Sequence, residues 1–189
     1  FIPTISTSNS VKQIAEAKKK GLNVFCSVAA HNLVLTDTVL DEFDTQYKVL
    51  PPLRTSSDTK ALLKGVQNGT IDLVTSDHTP INVELKHVEF DNAEYGALGL
   101  ESIFGVLNKI LGFEETIPIL TKGRTIFGLE TPKLEQGAPA NLTLFETDNE
   151  WEFTEEHIHS TSKNAIMLGY QLKGKVIGTV ANNQLILND

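Results

Sequence analysis

The sequence predicts an α/β fold: parallel strands joined by crossover helices, followed by a small antiparallel β segment. Three observations lead there. Strand-like and helix-like stretches alternate through the N-terminal half, the pattern of parallel strands with helical crossovers. After about Leu129 the texture changes to short apolar runs separated by turn residues, as in antiparallel hairpins. The composition, 40% hydrophobic and 21% charged over 189 residues, suits a buried globular core and argues against a disordered or collagen-like chain.

The elements follow in order. Ser8, Asn9 and Ser10 offer caps to a helix carried by Val11, Ile14 and Ala15, which Gly21 stops. Residues 23–28 form a β-rich run, and Thr36 or Asp37 can cap a short helix reaching Phe43. A brief strand is predicted over 47–50, ended by Pro51 and Pro52. Ser56 or Ser57 caps the next helix, whose apolar positions Ala61, Leu62, Leu63 and Val66 run to Gly69. Residues 71–75 make a strand, with 76–80 as a polar turn at its C-terminal end. The charged stretch 81–95 predicts a long surface loop, and helices are expected over 99–111 and 114–121. Strand segments at 142–145, 151–153, 170–172 and 176–180 complete the chain, with hairpin turns at 173–175 and 182–183.

Charge and cysteine content narrow the function. Sixteen basic against 24 acidic residues give a net charge of −8, and no basic run exceeds Lys18-Lys19-Lys20. Nucleic acid and anionic membrane surfaces are therefore poor partners. The apolar stretch 96–113 is interrupted by Glu101 and Lys109, so no membrane span is expected. One cysteine, Cys26, excludes an internal disulfide and a Cys-rich zinc site, and suits a reducing, cytoplasmic location. The start, Phe1 to Ile5, reads as a strand interior without a signal region, so the chain is expected to be a piece of something longer.

In parallel α/β folds, functional groups gather at the C-terminal ends of strands. Three segments have that address: 30–32, 50–54 and 76–80. Asp77 could ligate a divalent metal or act as a general base; the competing reading is a carboxylate that braces the turn before Pro80. His31 could be a metal ligand or a hydrogen-bonded structural imidazole. Arg54 could clamp a carboxylate or pair with Asp58. His157 and His159 are expected on a solvated strand edge, and Cys26 is expected to be buried and inert. The chain has no G-x-S-x-G elbow, P-loop or dinucleotide fingerprint.

Several motifs together carry a family resemblance. Residues 44–54 (DTQYKVLPPLR), 69–72 (GTID) and 75–80 (TSDHTP) resemble dihydroorotase, of the amidohydrolase superfamily. Residues 5–7, Thr36-Asp37, Tyr95-Gly96, 99–101, 137–145 and 162–164 match in order and spacing. The resemblance implies a (β/α)8 TIM-type barrel with a small β-sandwich and a zinc centre. It implies the reversible cyclisation of N-carbamoyl-aspartate to dihydroorotate in pyrimidine synthesis. Asp77 stands where the family's proton-shuttling, metal-binding aspartate follows the last barrel strand, and Tyr95 and Gly96 stand at substrate-binding positions.

On this reading residues 1–128 are a partial barrel from about the sixth strand onward, and 129–189 a β-sandwich segment. The remaining metal ligands would lie upstream. Three positions depart from the family pattern: Thr4 replaces a metal-binding histidine, Leu50 a substrate-binding asparagine, and Ile81 a histidine. Each loses a polar group worth about 1–3 kcal/mol when its partner is left unpaired. The expectation is a dihydroorotase-family chain with an impaired site, zinc absent or weakly held, and a structural role. The alternative is a working zinc-dependent cyclic amidohydrolase that uses Asp77 and upstream ligands. Expected partners are a second copy or the missing N-terminal half, and a carbamoyltransferase of the same pathway.

Overall fold

The computed structural model describes residues 1–188. In chain order the elements are α1 (Ser8–Lys19), β1 (Ser27–Ala29), α2 (Ser56–Gln67), β2 (Leu73–Thr75), α3 (Ile103–Leu111), α4 (Phe113–Thr121) and α5 (Gly123–Ile126). They are followed by β3 (Leu142–Glu152), β4 (Gln171–Ala181) and β5 (Gln184–Leu187). β1 and β2 pair in parallel, Val28 opposite Val74. Isolated parallel bridges at Ile2–Cys26, His78–Ala97 and Leu98–Ala165 continue the strand order on both sides. β3, β4 and β5 form a separate antiparallel sheet in that order.

Local chemistry explains most boundaries. Thr7, one residue before the expected caps, is the N-cap of α1: its Oγ1 accepts from Ser10 N at 3.1 Å. Thr55 likewise precedes α2, and its hydroxyl donates to Asp58 Oδ2 at 2.8 Å. The helix expected up to Phe43 is only a 3₁₀ turn, Asp37–Leu40. No strand forms over 47–50. Thr45–Tyr47 is a 3₁₀ turn, and the Lys48 carbonyl accepts from Gly96 N and Lys86 Nζ rather than from a neighbouring strand.

The tail also differs from the expectation. The segments at 142–145 and 151–153 are one strand, β3, and 173–175 lies inside β4. Gly174 has φ 81° opposite a register shift between Glu146 and Glu150, where Asn108 Nδ2 donates to Thr147 O and Lys173 O. An apparent turn is therefore a bulge, closed by a side chain of α3. The turn at Asn182–Asn183 forms as expected, both residues having positive φ.

Two cores hold these layers. One gathers Ile5, Ile14, Val28, Leu62, Ile71 and Leu107 between α1, α2, α3 and the parallel strands. The other joins Val49, Leu53, Leu98 and Val106 to Phe153, Ile166 and Leu172, so it draws on both sides of residue 129. Each fully buried large side chain contributes about 1.5–3 kcal/mol. Beneath them Asp72, with a side chain only 4% exposed, accepts from Lys18 Nζ at 2.7 Å and Cys26 N at 3.0 Å. Lys122 Nζ reaches its other oxygen at 3.4 Å.

α3 starts close against the end of β2. A Cβ on Gly99 would stand 2.3 Å from Ser76 O, and a main-chain oxygen cannot swing aside. Gly99→Ala is expected to cost about 3 kcal/mol. Urea denaturation measures it; an unchanged midpoint would mean that this contact is not tight.

Candidate active site

The C-terminal ends of the parallel strands carry two backbone outliers. Thr4 (φ 42°) and Asp77 (φ 49°) both occupy the left-handed region. For a β-branched threonine and a non-glycine aspartate this conformation costs energy, and such strain concentrates at functional positions. Sequence periodicity carries no sign of it.

The two readings of the 76–80 turn divide between neighbouring residues. His78 is the brace. Its Nδ1 accepts from Gly99 N at 3.4 Å and Leu100 N at 3.2 Å, and its Nε2 lies 3.4 Å from Ser160 Oγ. Ser160 in turn donates its hydroxyl (2.8 Å) and its amide (3.2 Å) to Glu101 Oε1. This Ser–His–Glu set has the composition of a hydrolytic triad. Its imidazole, however, is committed to backbone donors at Nδ1, and the serine donates to the glutamate. Its role is to pin the turn to the start of α3.

Asp77 is left free by that arrangement. Its carboxylate is half-buried and has no hydrogen-bond or ion-pair partner among the described residues, and burial raises its pKa. An unengaged carboxylate with raised proton affinity is suited to accept and return a proton.

Gly96 lies against this turn, with Tyr95 next to it in the chain. Gly96 is buried with φ 138°, and a Cβ there would come within 2.7 Å of Thr79 Cγ2, so only glycine fits. Its neighbour Ala97 accepts from Thr79 N at 2.9 Å, which ties the segment two residues beyond Asp77. The Gly96 carbonyl accepts from Lys86 Nζ at 3.0 Å and Asn164 Nδ2 at 3.2 Å. Tyr95 is 50% exposed, and its ring centroid lies 4.8 Å from Lys48 Nζ.

The three departing positions supply no metal or ring-binding group. Thr4 is a neutral hydroxyl whose amide donates to Ser27 Oγ at 3.0 Å. Leu50 is 64% exposed. Ile81 is half-buried, its amide donating to Asn164 Oδ1 and its carbonyl accepting from Ser162 Oγ. Among the described residues no three His, Cys, Asp or Glu side chains converge as a metal site. Asp77 with Thr4 is too poor a donor set for zinc, which takes three or four nitrogen, sulfur or carboxylate ligands. The residues present do not fit a zinc centre by themselves.

Other candidates resolve differently from the expectation. His31 is 3% exposed, and among the described residues its Nε2 has no hydrogen-bond partner. Burial lowers its pKa to about 4. It lines a small cavity of about 10 Å³ with Ser76 and Ser102. Arg54 forms no ion pair with Asp58; its Nε donates to Ser6 Oγ at 3.3 Å, while Asp58 caps Ser8 N at 2.8 Å. His157 is on a 3₁₀ turn rather than a strand: Nδ1 meets Thr154 Oγ1 at 2.9 Å and the ring lies tilted beside Trp151, centroids 4.5 Å apart. Cys26 is fully buried, as expected, and burial pushes its thiol pKa up.

Sequence reasoning missed Lys86, Lys48 and the Ser162–Asn164 pair. Residues 162–164 matched a family motif yet were assigned to the β tail; that match was the signal available.

No family model matches the chain. Among solved structures it is similar to the L-hydantoinase (dihydropyrimidinase) of Arthrobacter aurescens, with TM-score 0.88 and 25% identity over 98% of this chain and 44% of that one. It is also similar to the dihydropyrimidinase of Brevibacillus agri, with TM-score 0.85 and 26% identity over the same shares. With parallel strands ending at Asp77 and a small antiparallel sheet behind them, the fold is that of a C-terminal portion of an amidohydrolase TIM barrel.

Sequence narrows the class further. The dihydroorotase of Caldicellulosiruptor saccharolyticus is 37% identical across 100% of this chain, and that of Leifsonia xyli subsp. xyli 38% across 93%. The chain matches a C-terminal portion of dihydroorotases, and it spans less than half the length of these relatives, 45% and 42%.

Proposed function

We propose that this chain is the C-terminal portion of a dihydroorotase-type cyclic amidohydrolase whose site is catalytically impaired, so that it serves a structural role in pyrimidine synthesis. The observation that supports this most is the replacement of three polar site groups by Thr4, Leu50 and Ile81, with no converging metal donors among the described residues. In the hydrolytic direction, water adds to the ring amide carbon, the C–N bond breaks, and the leaving nitrogen takes up a proton. Asp77 would take the proton from the water and deliver it to that nitrogen. Tyr95 and Gly96 would border the ring. The family's zinc supplies carbonyl polarisation, and this chain's own residues do not hold it.

One observation favours a second reading, an active enzyme with ligands on a longer chain: Asp77 is unengaged and its proton affinity is raised. Zinc analysis and a dihydroorotate hydrolysis assay on the protein at its full natural length separate the two. The expected result is substoichiometric zinc and no turnover. Stoichiometric zinc, with turnover that Asp77→Ala lowers at least a thousandfold, would establish the active enzyme instead.

The surface supports a partner. Leu142, Leu144 and Ile177 are 36–41% exposed on the tail sheet, and Leu185, Ile186 and Leu187 on β5 are 58–59% exposed. Phe1 and Phe127 meet as a tilted pair, centroids 5.1 Å apart, with both residues about half in solvent. A β edge of this kind, apolar and unpaired, invites association. The remaining barrel half or a second copy would cover it, and a carbamoyltransferase of the same pathway is the partner a structural role implies. Among the described residues no helix is long and apolar enough to cross a membrane, and the free Cys26 suits a reducing cytoplasm.

A further inference from the structure

We propose that Lys86 is a positioning residue that latches the 81–96 segment, holding Gly96 against the Asp77 turn and Tyr95 next to it by seating its ammonium in a cage of three main-chain carbonyls. The proposal rests on the reading that Tyr95 and Gly96 border the cyclic amide.

The geometry is that of a built socket. Lys86 is 3% exposed, although it lies in the middle of a mostly exposed, charged segment. Its Nζ donates to Glu94 O at 3.0 Å, Gly96 O at 3.0 Å and Lys48 O at 3.3 Å, one acceptor for each ammonium hydrogen. Two of those carbonyls flank Tyr95. The third belongs to Lys48, whose carbonyl also receives Gly96 N. One cation thus closes the segment on itself and fastens it to the 45–48 turn. The Lys86 carbonyl is held in the same place by Thr45 Oγ1 at 2.6 Å.

A second lysine repeats the device from the other side. Lys48 Nζ donates to Phe90 O at 2.6 Å and Asp91 O at 3.0 Å, and lies over the Phe90 and Tyr95 rings at 5.2 and 4.8 Å. The Lys48 ammonium is a neighbour that disfavours the charge on Lys86. Burial and then Lys48 lower the pKa of Lys86 to about 8, with Asp44 opposing. Burying a charged group here is costly, and the cost is offset only because each ammonium hydrogen meets an acceptor. A methionine or leucine would take the donor from the Glu94 carbonyl, and would leave the Gly96 and Lys48 carbonyls only Asn164 Nδ2 and Gly96 N respectively; a cation with several donors serves all three together. From Gly96 the connection to the site is short: Ala97 O accepts from Thr79 N, two residues after Asp77.

Amide hydrogen exchange on the intact chain tests the latch without any substrate. In Lys86→Met, exchange at the Gly96 and Thr79 amides is expected to quicken at least tenfold while amides of α1 and α2 keep their wild-type rates. Lys86→Arg, which keeps the charge and the donors, is expected to restore most of the protection. Unchanged exchange at Gly96, or equal acceleration throughout the molecule, would overturn the proposal. If the methionine variant does not fold, the wild-type protein decides. A caged Lys86 ammonium gives resolved, slowly exchanging Nζ protons by NMR near neutral pH, and an ammonium averaging with the exposed Lys12 and Lys60 would overturn the cage.

A calorimetric titration with dihydroorotate then separates the latch from the substrate reading. Binding by the wild type that weakens at least tenfold in Lys86→Met supports both. Binding that the variant leaves untouched overturns the positioning role, and no binding by the wild type removes the reading of Tyr95 and Gly96 while the exchange data decide the latch.

Discussion

Asp72→Ala is expected to lower the unfolding free energy of this chain by about 3 kcal/mol. The carboxylate is almost wholly buried and ties four elements: Lys18 at the end of α1, the Cys26 amide at the start of β1, its own place ahead of β2, and Lys122 between α4 and α5. The two lysines are 26% and 45% exposed and can return to water, so their loss contributes less than a fully buried pair would. The Cys26 amide cannot, because that residue is 0% exposed, and leaving it unsatisfied costs about 1–3 kcal/mol. Asp72→Asn, which keeps an acceptor for that amide and removes the charge, is expected to lose roughly half as much. Urea titration of the three proteins at pH 7 measures this. A loss in Asp72→Ala no larger than that of an exposed ion pair, about 0–1 kcal/mol, would show that the clamp is not needed.

Acid is expected to destabilise the chain through His31. Its folded pKa is about 4 against an ordinary value of 6.5, because burial disfavours the imidazolium. Between those values the unfolded chain binds the proton and the folded chain does not. The contribution of the neutral side chain is therefore fully present above pH 6.5, and is lost as pH falls from 6.5 to 4. At 1.36 kcal/mol per unit, this amounts to about 3 kcal/mol. His31→Gln, which cannot titrate, is expected to flatten that part of the stability–pH curve relative to wild type. Parallel curves for the two proteins between pH 7 and pH 4 would sink the assignment.

Much of the framework was legible. α1 and α2 were readable because Ile14, Leu62 and Val66 recur at helical spacing beside capping hydroxyls, and the Asn182–Asn183 turn because asparagine tolerates positive φ. The address of Asp77 was readable from the alternation of strand and helix. Two of the departures share an origin. Residues 47–50 have strand-like side chains, but the Lys48 carbonyl is taken by Gly96 and Lys86, so no ladder forms. Lys173-Gly174-Lys175 has turn-like residues, yet Asn108 of α3 binds the Lys173 carbonyl and lets the strand run on as a bulge. In both cases a distant donor overrode a local preference.

The sequence alone determined the fold class, the family resemblance and the candidate carboxylate, since periodicity, capping and ordered motifs are properties of neighbours along the chain. The tertiary structure alone decided what the motif residues do. It set Asp72 of the GTID motif as a clamp, divided the 76–80 turn between a bracing His78 and a free Asp77, and brought Asn164 to Ile81 and Gly96. It also buried Lys86 under carbonyls that include that of Lys48, 38 residues away. Such contacts depend on which desolvated donors and acceptors meet when the layers close, and no local pattern records that.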